Sequence, residues 1–132
     1  MVKVLGVAVG GALGAVLRWW LGEAFPDDTG FPWTTFAINV SGAGVLAGLP
    51  ALAVVRRRPA LAAALGPGVL GGYTTLSAYS EQTRALLADD RTATGAAYVL
   101  GTLVACLVVV ALVSRITTPP ERDQFAAEGG DE

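Results

Sequence analysis

An all-α membrane protein with four transmembrane helices, the third of them broken mid-membrane, is the fold this sequence predicts. Three observations predict it. Of 132 residues, 53% are hydrophobic and only 15% are charged, whereas a soluble domain carries about a quarter charged residues. The apolar residues gather into four stretches, at about 4–22, 33–55, 60–87 and 92–114, each near the ~20 residues a helix needs to cross a bilayer. The third stretch is interrupted by glycine pairs, a proline and a cluster of hydroxyls. Mean hydropathy is +0.56. Residues 1–118 read as one transmembrane domain, and the acidic, Gly-containing segment 119–132 reads as a disordered tail.

The first stretch carries Gly6, Gly10, Gly11 and Gly14, small residues that let membrane helices approach closely. Lys3 ahead of an apolar run fits a signal peptide, but Arg18 inside the run and the lack of a small-x-small cleavage site argue against one. Arg18 is the only cation well inside an apolar stretch. It either snorkels to the interface beside the belt residues Trp19 and Trp20, or lines an aqueous vestibule, or ties a loop down. A turn-like linker, Phe25-Pro26-Asp27-Asp28-Thr29-Gly30, follows.

The second stretch is uncharged, with Gly42, Gly44 and Gly48 and one outlier, Asn39. A buried amide needs partners or a wet cavity. Asn39 is either glue between helices or a donor to a permeating anion. The linker Arg56-Arg57-Arg58-Pro59 leads to the third stretch, which holds Gly66-Pro67-Gly68 and then Gly71-Gly72-Tyr73-Thr74-Thr75-Leu76-Ser77-Ala78-Tyr79-Ser80-Glu81. Backbone groups freed by a helix break must find partners inside a bilayer, so this is either a packing kink or a discontinuous helix at an ion site. After Asp89-Asp90-Arg91 the fourth stretch runs without a charge. Its lone cysteine, Cys106, sits among Leu, Val and Ala and reads as a small buried hydrophobe.

The composition excludes several functions. With no His and one Cys there is no zinc constellation, disulfide framework or Cys–His nucleophile. No nucleophile–base pair is visible, so an enzyme is not expected. A net charge of −2 without a basic stripe excludes nucleic acid as a partner. With four spans, Lys3, Arg56, Arg57, Arg58, Arg115 and Arg122 share the side of both termini, and Arg84 and Arg91 lie opposite, so the termini are expected in the cytoplasm.

Three motifs carry a family resemblance. Gly10-Gly11-Ala12-Leu13-Gly14-Ala15-Val16-Leu17-Arg18-Trp19 resembles the GGxxGAxxRY signature of the small fluoride channels, the Fluc or CrcB family. Thr35-Phe36-Ala37-Ile38-Asn39-Val40-Ser41-Gly42, with Gly48 beyond, resembles their second helix. The run from Gly71 to Glu81 is similar to their GGxTTFSTFSxE break. The resemblance implies a fluoride-selective channel in the prokaryotic plasma membrane, which exports cytoplasmic fluoride passively and confers resistance to it. It implies an antiparallel, dual-topology dimer with two pores in membrane lipid. The backbone carbonyls of Gly71 and Thr74 would hold a central structural sodium ion. Asn39, Thr75, Leu76, Ser77, Tyr79, Tyr98 and Thr102 would line the fluoride path, and Arg18 would stand near its vestibule. The family pattern has two phenylalanines where this chain has Leu76 and Tyr79.

Two rival functions stand beside this one. A small antiparallel drug exporter matches in size and helix count but wants a mid-membrane acid for proton exchange, and the first helix has none. A non-conducting partner subunit of a mixed fluoride channel is the other, since the charge bias and the missing ring at Leu76 are what such a subunit would show. The dimer is thus expected to be either a homodimer or a heterodimer with a related subunit.

Overall fold

The computed structural model describes residues 1–27 and 30–117. The acidic tail expected at 119–132, and Asp28 and Thr29 of the first linker, lie outside the described residues. Every regular element among the described residues is helical. Helix α1 spans Val2–Ala24 and α2 spans Trp33–Gly48, which a 3-10 turn extends over Leu49–Ala51. Short helices α3 (Ala53–Arg56) and α4 (Pro59–Ala63) follow, then a π-helical stretch, Ala64–Leu70, and one further turn, α5 (Gly71–Tyr73). Helix α6 spans Leu76–Ala88 and α7 spans Thr92–Thr117. Three rods, Val2–Ala24, Trp33–Ala51 and Thr92–Thr117, are long and apolar enough to cross a membrane.

Packing is inverted relative to a soluble protein. On α1 only Gly10 and Gly14 are buried, while Val9, Leu13 and Val16 point outward. In lipid, apolar side chains gain nothing by turning inward, and close backbone packing joins the helices instead. A Cβ on Gly10 would collide with the Ala64 carbonyl, one on Gly14 with the Val69 carbonyl, and one on Gly72 with the Gly11 carbonyl. Helix α1 therefore lies backbone to backbone on the π-helical stretch and α5. The π turn also accommodates Pro67, whose ring would clash with the carbonyl of Ala63 in an α-turn.

The ends of the rods are individually secured. The apolar stretch expected to reach residue 55 turns earlier, at Leu52, whose backbone is extended. There Arg56 Nη1 donates to the carbonyls of Pro50 and Ala51 at 2.6 and 3.0 Å, a cation placed on the negative end of a helix dipole. At the other end of α2, Asp27 Oδ1 accepts the Thr34 N–H at 2.9 Å. Asp90 closes α6 with φ +57°, its N–H on the Leu87 carbonyl and the Arg91 N–H on the Leu86 carbonyl. That pair of bonds is the Schellman motif, here with Asp in the place usually taken by Gly. Phe31, Trp33, Phe36 and Tyr98 stack edge to face around the same end of the bundle, and Tyr98 is wholly buried.

Candidate functional site

The helical run from Pro59 to Tyr73 stops at Thr74 (ψ 157°) and Thr75 (φ −146°, ψ 121°), both extended, before α6 begins. The break thus occupies two residues. Gly71 and Gly72, expected within it, are still helical. Extended backbone exposes N–H and C=O groups that a bilayer cannot satisfy, and side chains from α1, α2 and the break itself answer for this segment. Asn39, midway along α2, accepts the Thr75 N–H on Oδ1 at 2.8 Å and donates from Nδ2 to the Thr75 carbonyl at 3.1 Å. Arg18 Nε donates to the Gly72 carbonyl at 3.1 Å. Thr75 caps α6 by accepting the Ala78 N–H on its hydroxyl at 3.1 Å. A Cβ on Gly42 would collide with the Thr74 methyl, so glycine at that point lets the break reach Asn39.

This diversion bears on two carbonyls. In an unbroken helix the Thr75 N–H would bond the Gly71 carbonyl, and the Ala78 N–H would bond the Thr74 carbonyl. The first N–H is given to Asn39 and the second to the Thr75 hydroxyl. Both oxygens assigned by resemblance to a sodium ion are thus without their helical partners. Neutral oxygens of this kind suit a hard cation. Among the described residues no three His, Cys, Asp or Glu side chains come together.

A groove of about 650 Å³ opens beside the break. Asn39, Gly71, Thr74, Thr75, Leu76, Tyr79 and Thr102 all border it. Leu76 is 76% exposed there. The Tyr79 hydroxyl is turned away, donating to the Val99 carbonyl at 2.9 Å, and its ring stands 5.0 Å from that of Tyr98. Thr102 is buried, and its hydroxyl has no hydrogen-bond partner. Three of the expected residues do not border the groove. Arg18 lies behind the break, Ser77 bonds the Thr75 hydroxyl at 3.2 Å, and Tyr98 gives its hydroxyl to Gln82 Oε1 at 2.8 Å.

Sequence reasoning passed over several participants. Ser41 and Tyr73 share a hydrogen bond of 3.0 Å behind the break. Gln82 bridges Tyr98 to Asp27 Oδ2, at 3.5 Å, so the first linker touches the same polar network. Cys106, expected to be buried, is half-buried and borders the groove. Its signal was its spacing, four and eight residues beyond Thr102 and Tyr98 respectively, which sets all three on one helix face.

Residues 5–114 match the family model of the CrcB-like proteins, described as camphor resistance (CrcB). A protein of Streptomyces coelicolor named fluoride-specific ion channel FluC 1 is 41% identical over 112 residues, covering 82% of this chain and 72% of that protein. The fluoride-specific ion channel FluC of Anaeromyxobacter sp. (strain K) is 41% identical over 114 residues, 82% of this chain and 89% of that one. The channel of the same name from Nitrobacter winogradskyi is 43% identical over 119 residues, with 86% and 91% covered. With three apolar rods, a break clamped by Asn39 and Arg18, and a family match across all of them, this chain is a multi-pass membrane protein of the CrcB-like family.

Proposed function

We propose that this chain is a subunit of a fluoride-selective channel that lets cytoplasmic fluoride leave the cell down its gradient and so confers fluoride resistance. The observation that carries the reading is the two-residue break held open by Asn39 beside a groove. Similarity over most of the chain to proteins named fluoride-specific ion channels supports it. In this reading α4 to α6 form a fourth, discontinuous span, and residues 1–118 are the channel domain.

Fluoride is small and strongly hydrated, so a path for it must replace water with donors. Asn39, Thr75 and Thr102 border the groove and carry such groups, while Ser77 and Tyr98 stand behind it, with the Tyr98 proton engaged by Gln82. Tyr79 offers an electropositive ring edge, and Leu76 supplies bulk without a ring. Neutral donors hold an anion loosely enough to release it, as conduction demands. Arg18 keeps the Gly72 carbonyl turned from the path and leaves guanidinium N–H groups for a vestibule.

A polar break beside an open groove does not belong against lipid, and a second subunit is what would cover it. We assign that role to an antiparallel copy or a related chain, with Leu76 reaching toward it and two pores formed between the pair. The carbonyls of Gly71 and Thr74 would hold a structural sodium ion at the junction, where it supplies a fixed positive field. The basic end, with Lys3, Arg56, Arg57, Arg58 and Arg115, faces the cytoplasm in at least one orientation.

The test is fluoride-electrode efflux from vesicles of the purified chain, with chloride efflux measured beside it. Fluoride release without chloride release is the expected result. Proton-coupled uptake of a lipophilic cation in its place would favour a drug exporter, for which no groove residue supplies a carboxylate. Fluoride flux that appears only on co-expression with a related chain would make this the partner subunit of a mixed channel.

A further inference from the structure

Asp27, in the first linker, holds two helices at once. Its Oδ1 accepts the Thr34 N–H at 2.9 Å in the first turn of α2, where the helix dipole favours an anion. Its Oδ2 faces Gln82 Nε2 of α6 at 3.5 Å. Gln82 Oε1 in turn accepts the Tyr98 hydroxyl at 2.8 Å. Tyr98 is wholly buried, with its ring 5.3 Å from that of Phe31 and 5.0 Å from that of Tyr79, so the phenol cannot swing to another partner. Only the direction of its O–H is open. A carboxylate can only accept, whereas an amide has one donating end and one accepting end. At 3.5 Å the carboxylate charge draws the amide nitrogen and repels the amide oxygen. The nitrogen end therefore faces Asp27, the oxygen end faces Tyr98, and the phenol must donate.

We propose that Asp27 is a positioning residue for Tyr98: its carboxylate sets the direction of the Gln82 amide and so keeps the Tyr98 proton on Gln82 and away from the fluoride path. The relay stands on geometry, while its effect on flux rests on the fluoride-channel reading. It accounts for Tyr98, a donor in the path that resemblance implies, having its proton engaged by Gln82 in this structure. Exchanging one atom reverses it. In Asp27→Asn the Thr34 N–H still needs an acceptor, so the new amide keeps its oxygen there and turns Nδ2 toward Gln82. Two donating nitrogens repel. Gln82 then turns over, its Nε2 donates to the Tyr98 oxygen, and the phenol proton is released.

The experiment reads the phenol vibrations of Tyr98 in vesicles of the full-length chain, as the infrared difference between each chain and its Tyr98→Phe counterpart, and fluoride efflux from the same vesicles. The wild-type phenol should vibrate as a hydrogen-bond donor and the Asp27→Asn phenol as an acceptor. The released proton adds a donor that holds fluoride longer, so Asp27→Asn efflux should fall about fivefold, the worth of one ordinary hydrogen bond. In the Tyr98→Phe background Asp27→Asn should change the rate by less than about twofold. Gln82→Met is the second variant. It removes the amide, leaves the Asp27 bond to Thr34 in place, and should also take the phenol out of its donor state and slow efflux. A phenol that stays a donor in both variants overturns the proposal. So does a reversed phenol with wild-type efflux, or an equal slowing by Asp27→Asn when Tyr98 is Phe, which would leave Asp27 a cap on α2 and nothing more. A phenol that reverses as expected in a chain that carries no fluoride even as the wild type supports the relay and overturns the channel reading.

Discussion

Helix α7 and the run from α4 to α6 are built from similar lengths of chain and solve opposite problems. Helix α7 is one uninterrupted rod, Thr92–Thr117, whose backbone satisfies itself and whose Leu100, Leu103 and Leu107 face outward. The run from Pro59 to Ala88 changes from α to π geometry, stops at Thr74 and Thr75, and restarts. Its backbone depends on side chains brought by α1 and α2. The difference teaches where specificity resides in a small membrane protein. A continuous apolar helix tolerates many sequences, while a broken one needs particular donors at particular points.

The largest effect is expected where α1 meets the interrupted run. Gly72→Val puts a branched side chain against the Gly11 backbone. Overpacking costs about 1–3 kcal/mol when side chains can give way, and backbone cannot. Loss of the folded assembly in size-exclusion chromatography is expected, whereas Gly101→Ala on α7, with nothing within 4 Å, leaves it intact. Next comes Arg18→Gln, which weakens the hold on the Gly72 carbonyl. A hydrogen bond from a charged donor is worth about 1.5–3 kcal/mol, so fluoride efflux should fall roughly tenfold or more, with Arg18→Lys intermediate. Leu107→Val, on the outward face of α7, should shift the unfolding free energy by less than about 0.5 kcal/mol. The smallest effect belongs to Glu81→Gln. It removes an ion pair with Arg84 in which both side chains are about two-thirds exposed, and it should leave the unfolding midpoint unchanged.

Much of this architecture was legible in the sequence. Hydropathy marks the apolar rods, and Asn39 and the hydroxyl cluster stand out because a bilayer penalises them. The position of the break was only partly legible. Gly71 and Gly72 suggest an interruption by composition, but Gly72 is helical and serves close approach to Gly11. The extended residues are two threonines, which the diverted N–H groups and the Asn39 clamp select through tertiary contacts. Asn39 offered two readings, glue between helices or donor to an anion. Its bonds to Thr75 show the first role, and the proposed path adds the second at its remaining N–H. The turn at Leu52 had a local sign in Pro50, where the α-helix already gives way to a 3-10 turn, and Arg56 then caps the carbonyls of Pro50 and Ala51 from the far side of the bend. Cys106 was masked by its neighbours, since a thiol among Leu, Val and Ala is usually packing, and its spacing from Tyr98 and Thr102 was the one sign of a place beside the groove.

Asn39→Asp strikes at the proposed functional site, the clamp of Asn39 on Thr75. The carboxylate still accepts the Thr75 N–H but meets the Thr75 carbonyl with no donor, and an acid at membrane depth costs about 3 kcal/mol. Fluoride-electrode efflux from vesicles, normalised to protein that elutes like the wild type, should fall about a hundredfold or more. Efflux from Asn39→Asp vesicles equal to that of the wild type would remove the Asn39 clamp from the fluoride path.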